Sequence, residues 1–530
     1  MRVGGTQSAF SASLLLGASS LISSLLGLVR GKIIAHLFGA GSEVDAYTAA
    51  FELPDLINYL LIGGVASTAF IKILTQYNTE GREEDGDRAL SNILNIMLSV
   101  LGAASLLGLL LAPLYVRIKF HNFGSPVTAH MCVQMTRILL FNPLLLLAGG
   151  VFGSRLMAKK IFLCQALQPL LYNGSIIAGA VFLHNRFGIY SLAMGSAFGA
   201  LVGMFLLNLI GARSIGMQWT PQYDFKHPAF LQWLKMSLPL MLGQSLTTLD
   251  PTIRSYFASE VKGSVSLMNY ARQLFNAPMN ALGPAAGAAS LPFFASLWLK
   301  GNAQQFSAAV NRSVSRLMAA SLLVTSLLAA LALPTVDVTL RGGRFHGSDA
   351  ATVAQLLILF SLSMIFWTSA NLYARAFYAV GNTMTPMISG TIVTVLSIPV
   401  YALLFHSDGT RGLVIASDIG IAAHTVALAV LLHKRRMVSL AELEWSELAK
   451  ALLATLVSAA AIVFTLRALP LGSTHMANFV RLVVGTAVWL IAVLVILFGT
   501  KSALPQALLR RRKTSAAPIA TSPAADSPDS

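Results

Sequence analysis

Fourteen stretches of mainly apolar residues, each about 20 residues or longer, follow one another along this chain. A helix of about 20 apolar residues spans the hydrocarbon core of a bilayer. The stretches are 8–36, 45–75, 90–116, 129–157, 162–184, 187–212, 229–257, 265–298, 308–334, 350–378, 384–405, 411–433, 446–469 and 476–499. No segment alternates polar and apolar residues as the strands of a membrane barrel do, so the pattern predicts an all-α polytopic membrane protein with 14 transmembrane helices. Charged residues make up 11% of the chain, against about a quarter in soluble domains. Pro54, Pro143, Pro169, Pro284 and Pro292 fall inside these stretches. They are tolerated where neighbouring helices or cavity water satisfy the freed backbone groups.

The net charge of +16 does not point to nucleic acid, because the basic residues sit in short connections between apolar runs. Arg82, Arg88, Arg155, Lys159, Lys160, Arg213, Lys226, Lys300, Arg312, Lys434, Arg435, Arg436 and the basic run 510–513 fall on one side. The opposite connections hold fewer. By the positive-inside rule both termini are expected in the cytoplasm. Cys132 and Cys164 both lie in apolar runs, without metal-ligand spacing, so neither a disulfide framework nor a metal site is expected.

The chain repeats itself weakly. At an offset of 224 residues Arg30 meets Arg254, Gly39 meets Gly263, Ser42 meets Ser266, Phe51 meets Phe275, Pro54 meets Pro278, Gly63 meets Gly287 and Phe70 meets Phe294. The offset spans an even number of helices, so the two copies enter from the same side, as parallel repeats do. The expected organisation is a six-helix lobe over 1–222, a pseudo-symmetric six-helix lobe over 223–440 and two C-terminal helices over 441–502. A disordered cytoplasmic tail over 503–530 is expected to follow.

Charge inside the apolar runs marks the candidate site. An ionised side chain at bilayer depth costs roughly 3 kcal/mol, so it usually faces a protein interior or a watery cavity. One cluster holds Arg30, Asp45, Glu52 and Asp55; another holds Asp250, Arg254 and Arg272. Lys32 and His36 lie near a helix end, where snorkelling to the interface is an equal reading. Paired arginines facing one cavity suit an anion, because guanidinium binds phosphate oxygens in bidentate fashion and stays charged. Asp250 and Arg254, four residues apart, share a helix face. Two readings stand for them, a self-neutralising ion pair or a carboxylate that couples transport to a cation gradient. Asp418 and His424 have no evident partner. No phosphate-binding loop, nucleophile elbow or zinc motif is present, so no enzyme is expected.

The stretch SSLLGLVRGKIIAHLFGAGSEVDAYTAAFELPDLI resembles the start of the MurJ/MviN family of lipid II flippases. The likeness continues at 263–283, at LRGGRFHGSDA and at RAFYAVGNTMTP, and covers essentially the whole chain before the tail. The resemblance implies the multidrug/oligosaccharidyl-lipid/polysaccharide exporter fold, two six-helix lobes plus two C-terminal helices that groove a lipid tail. It implies alternating-access transfer of an undecaprenyl-diphosphate-linked peptidoglycan precursor across the bacterial cytoplasmic membrane. Membrane lipids and cell-wall synthesis proteins are the implied partners. No cofactor is implied beyond coupling to the membrane potential or a cation gradient. Taken with the charge clusters, the resemblance makes Arg30, Asp45, Arg254, Arg272, Asn58 and Asn276 the expected substrate-binding residues, and the spacing of Asp250 from Arg254 makes Asp250 the candidate for ion coupling. The family's second-helix arginines fall here on Asn58 and Tyr59, and its glutamate on Gly63. Its eighth-helix Asp-Arg reads Arg272-Gln273, and its later glutamate reads Asn276. These departures leave open another polyprenyl-linked glycan, or a non-transporting scaffold of the wall machinery.

Overall fold

A computed structural model describes residues 9–61, 66–120, 123, 125–241, 245–287, 290–469, 472 and 474–505. Gly63 and the tail beyond residue 505 lie outside the described residues. In chain order the helices are α1 (Ala9–Phe38), α2 (Ser42–Ala50), α3 (Glu52–Leu61), α4 (Ala66–Thr79), α5 (Glu83–Lys119), α6 (Pro126–Leu139) and α7 (Asn142–Ala158). Then come α8 (Leu163–Phe187), α9 (Tyr190–Gly199), a π-helical stretch (Ala200–Leu206), α10 (Leu207–Ser214), α11 (Pro228–Met241), α12 (Ser245–Ala258), α13 (Ser264–Gly287) and α14 (Ser290–Leu299). The remainder are α15 (Ala303–Ala330), α16 (Ala332–Leu340), α17 (Gly347–Leu362), α18 (Met364–Ala379), α19 (Met384–Lys434), α20 (Trp445–Ala468) and α21 (His475–Gly499). Among the described residues no strand forms, and nine helical segments are long and apolar enough to cross a membrane, or ten if α17 and α18 count as one bent span.

Several apolar runs are broken helices. The run 45–75 divides into α2, α3 and α4, and 265–298 into α13 and α14. The run 350–378 bends by 41° where α17 passes to α18. Conversely, α19 carries two of the expected spans. Its 51 residues would reach about 75 Å as one rod, against a core of about 30 Å. Asp408 and Gly409 leave helical geometry, with Gly409 at φ 55°. A Cβ on Gly412 would lie 1.9 Å from the Leu404 carbonyl, so the chain doubles back there, backbone against backbone.

Ends are set by local chemistry. The Ser125 hydroxyl caps α6, accepting from the Val127 N–H, with Pro126 in the first turn. Asn302 caps α15 and Thr474 caps α21 in the same way. Helix α5 opens on Glu83, Glu84 and Asp85 and closes on Arg117 and Lys119, charges that complement its dipole.

The first half packs α8 on α1 and α9, α2 on α6, and α4 on α7. The second packs α12 on α19, α15 on α18, and α13 on α17. Helices α20 and α21 attach to α15 and α16. With no hydrophobic force between helices in lipid, small polar side chains supply the glue. Ser326 pairs with Ser458 at 3.1 Å and accepts from the Trp489 indole at 3.0 Å. Phe182 and Phe464 are about four-fifths exposed, at 80% and 77%, which suits lipid and not water. Between the halves, α13 meets α1 and α2, while α16 meets α1.

Candidate functional site

A cavity of about 510 Å³ lies where α1, α2, α3 and α8 face α12 and α13. Arg30, Tyr47, Glu52, Asp55 and Tyr172 line its first-half wall; Arg254, Arg272, Gln273 and Asn276 line the other. Arg30 and Arg254, which the 224-residue offset aligns, thus line one space. Asp45, Asn58 and Asp250 are not among the lining residues. Asp45 is buried with both oxygens on N–H groups of the other half, Asp250 is buried and paired with Arg254, and Asn58 is half-buried on α3.

The three arginines are held differently. Arg254 Nε donates to Asp250 Oδ2 at 3.0 Å and its guanidinium lies 5.3 Å from the Phe360 ring centre. The other Asp250 oxygen accepts from the Tyr401 hydroxyl and from Ser417 Oγ at 2.8 Å. Asp250 and Arg254 thus form a buried ion pair in which both carboxylate oxygens are engaged. Arg272 stacks among Trp367, Phe275 and Phe360, at 4.6, 4.8 and 5.4 Å from the ring centres. Its Nη1 is buried without a hydrogen-bond partner. Such stacking holds a guanidinium without neutralising it. Arg30, half-buried on α1, has no hydrogen bond or ion pair among the described residues. Beside it, Gln273 Nε2 donates to the Gly27 carbonyl on α1. A Cβ on Gly31 would meet the Gln273 side-chain amide at 2.7 Å, so a larger residue there would have to displace that amide.

At the C-terminal end of α1 the halves are clasped. Asp45 Oδ2 accepts from the Gly263 N–H at 2.6 Å and Oδ1 from the Ser266 N–H at 2.7 Å. The side chain caps α13 from the opposite half, a favourable charge at a helix N-terminus. The Tyr270 hydroxyl donates to the Gly39 carbonyl at 3.0 Å, Lys32 Nζ to the Arg341 carbonyl at 2.6 Å, and the Arg344 N–H to the His36 carbonyl at 2.9 Å. Lys32 is therefore bound within the protein. Gly343 has φ 57°, and a Cβ there would lie 2.1 Å from the His36 carbonyl oxygen, so this contact requires glycine.

The clasp continues into the C-terminal helices. Buried Asp337 on α16 accepts from Arg341 Nη1 at 2.9 Å and faces His475 Nδ1 on α21 at 3.1 Å. Burial alone would raise the Asp337 pKa, but hydrogen bonds from Arg341, Asn478 and His475, with the Arg341 charge, outweigh it and hold the carboxyl below its usual range. A depressed carboxyl contributes stability above its unfolded pKa of about 3.9, lost as pH falls through the folded value. Asp337→Asn is expected to lower the melting temperature of the detergent-solubilised protein by about 2 °C at pH 7.5. The gap should close below about pH 4. A gap as large at pH 2 as at pH 7.5 by scanning fluorimetry would refute this role.

Sequence reasoning missed the Trp367–Phe360 stack and the Tyr401 and Ser417 donors, which arrive from helices more than 85 residues away from the arginines they serve. Asp418 and His424 carry Oδ1 and Nδ1 atoms that are buried without a hydrogen-bond partner.

A family model described as lipid II flippase MurJ matches residues 34–497. A lipid II flippase MurJ of Burkholderia cenocepacia is 30% identical over 452 residues, covering 80% of this chain and 84% of the relative. A probable lipid II flippase MurJ of Buchnera aphidicola is 27% identical over 442 residues, covering 83% and 86%. Among solved structures, a lipid II flippase MurJ in an inward closed conformation superposes with a TM-score of 0.75 at 22% identity, over 92% of this chain and 99% of that one. An inward-facing MATE family multidrug resistance transporter of the MOP superfamily follows at 0.64 and 14%, over 80% and 98%. These two structures share the fold.

Proposed function

This chain belongs to the lipid II flippase MurJ family, and on that premise we propose how it moves its lipid. It is a multi-pass protein of the bacterial cytoplasmic membrane that transfers lipid II, the undecaprenyl-diphosphate-linked peptidoglycan precursor, to the outer leaflet by alternating access. Arg30, Arg254 and Arg272 hold the diphosphate, with Asn276 as a neutral donor. The observation that carries this reading is Arg30, an unpaired guanidinium lining the cavity that Arg254 and Arg272 also line. Bidentate contacts to phosphate oxygens are what such a group makes best.

Both termini lie in the cytoplasm, a reading supported by the bias of Lys and Arg among the connections. The Asp45 clasp then closes the outer end of the cavity, and its release opens the path outward. The membrane potential drives the cycle; moving one charge through 100 mV supplies about 2.3 kcal/mol. In support, both Asp250 oxygens already have partners in Arg254, Tyr401 and Ser417.

Complementation tests the reading. In a host depleted of its own lipid II flippase, this chain is expected to restore growth and precursor translocation. Arg30→Ala should reduce translocation at least tenfold at equal membrane abundance. Rescue that survives Arg30→Ala would remove the cationic cavity from the mechanism. Good membrane expression without any rescue would redirect the function to another lipid-linked substrate.

A further inference from the structure

Once the arginines are assigned to an anionic group, the cavity still holds an opposite charge with nothing to do. Asp55 on α3 is exposed and lines the cavity. Its carboxylate has no hydrogen bond or ion pair among the described residues. The other acids near the cavity behave differently. Glu52, one turn earlier on α3, is paired with Lys119. Asp250 is paired with Arg254. Arg30, the free guanidinium on the same half, makes no ion pair with Asp55. Internal neutralisation is therefore the rule for Glu52 and Asp250, and Asp55 stands apart from it.

A carboxylate that faces an open cavity and has no partner keeps its charge available to a cation arriving from outside the protein. Pairing with that cation would satisfy it as Lys119 satisfies Glu52. Charge is also distributed across the space. The second-half wall presents Arg254 and Arg272, while the first-half wall presents Asp55 beside Arg30 and Tyr172. A purely anionic head would leave Asp55 facing like charge. A head with an anionic group and, some distance away, an ammonium group would satisfy both walls.

We propose that Asp55 receives an ammonium group on the head of the transported lipid, so that the cavity selects a dipolar head over a purely anionic one. This rests on the flippase reading and adds a cation-accepting subsite to it. A compact ammonium donates three hydrogen bonds, and the Tyr172 hydroxyl on the same wall, which is 2.6 Å from Ser196 Oγ, is a second oxygen in reach of the cavity.

Proteoliposomes holding the full chain test it with two substrates. One is lipid II whose peptide carries a free lysine side-chain amine; the other is the same lipid acetylated on that amine. The unmodified protein is expected to translocate the free-amine form about tenfold faster, roughly the effect of 1.4 kcal/mol. The ratio should fall towards one in Asp55→Asn and persist in Asp55→Glu. Equal rates for the two lipids in the unmodified protein overturn the proposal without touching the flippase reading, and need no variant to fold. A tenfold ratio that persists in Asp55→Asn also overturns it. Loss of both substrates in a well-folded Asp55→Asn points to proton coupling instead and overturns it as well. Failure of the unmodified protein to move either lipid removes the flippase reading and this inference together.

Discussion

Replacing Asp250 by alanine is expected to cost about 3–5 kcal/mol, the range for removing one partner of a buried ion pair. Both members are nearly fully enclosed, with Asp250 at 4% and Arg254 at 5% exposure. Alanine would leave Arg254 without a counter-ion, Arg272 close by with an unsatisfied Nη1, and two hydroxyl donors, Tyr401 and Ser417, without their acceptor. The expected readout is severe loss of folded protein in membranes and a large drop in melting temperature. The double substitution Asp250→Leu with Arg254→Met should recover much of that stability, since a buried pair replaced by apolar residues of similar volume is often neutral. Translocation should not recover with it, because Arg254 is proposed to touch substrate. If Asp250→Ala is as stable as the unmodified protein, the pair does not hold this part of the fold.

Asp45→Ala should act on the conformational balance. The aspartate holds two backbone N–H groups of α13 across the junction of the halves. Charge-assisted bonds of this kind contribute about 1.5–3 kcal/mol each. Losing both would shift the equilibrium between clasped and unclasped states by at least tenfold, since 1.4 kcal/mol is a factor of ten. Spin labels at Arg186 and Lys262, exposed positions on the two halves, should report a longer distance population by pulsed electron resonance. Translocation should fall as well, because alternation needs both states. An unchanged distance distribution would show that the clasp is held elsewhere.

The helical membrane architecture was legible because it follows from length and hydropathy, and the fold-back of α19 because a polar run divides its two apolar segments. Helix breaks were not, since the bend between α17 and α18 falls in an apolar run where sequence periodicity stays silent. Arg30, Arg254 and Arg272 could be found because a charge inside an apolar run is conspicuous by itself. Asp45 was conspicuous for the same reason, yet its place was not readable. A carboxylate in an apolar helix can face a ligand or cap another helix, and the difference lies in atoms 218 residues away in the chain. Asn58 was named from resemblance alone, with no charge to constrain which side of α3 it occupies.

The clasp has a further property. Asp45 grips the amides of Gly263 and Ser266, Tyr270 and Lys32 grip carbonyls, and Arg344 meets His36 through main chain on both sides. On one side of every one of these contacts the partner is an atom that all amino acids share. A saturation scan would therefore register the clasp through Asp45, Tyr270 and Lys32. It would also register it through Gly263 and Gly343, whose φ values of 82° and 57° exclude most side chains. Residues 36, 341 and 344, in their main-chain roles, would pass as tolerant, whereas buried Ser266 would register through its hydroxyl, which donates to the Gly263 carbonyl. A genetic map of this molecule would draw the closure as a few isolated points, although physically it is a continuous seam.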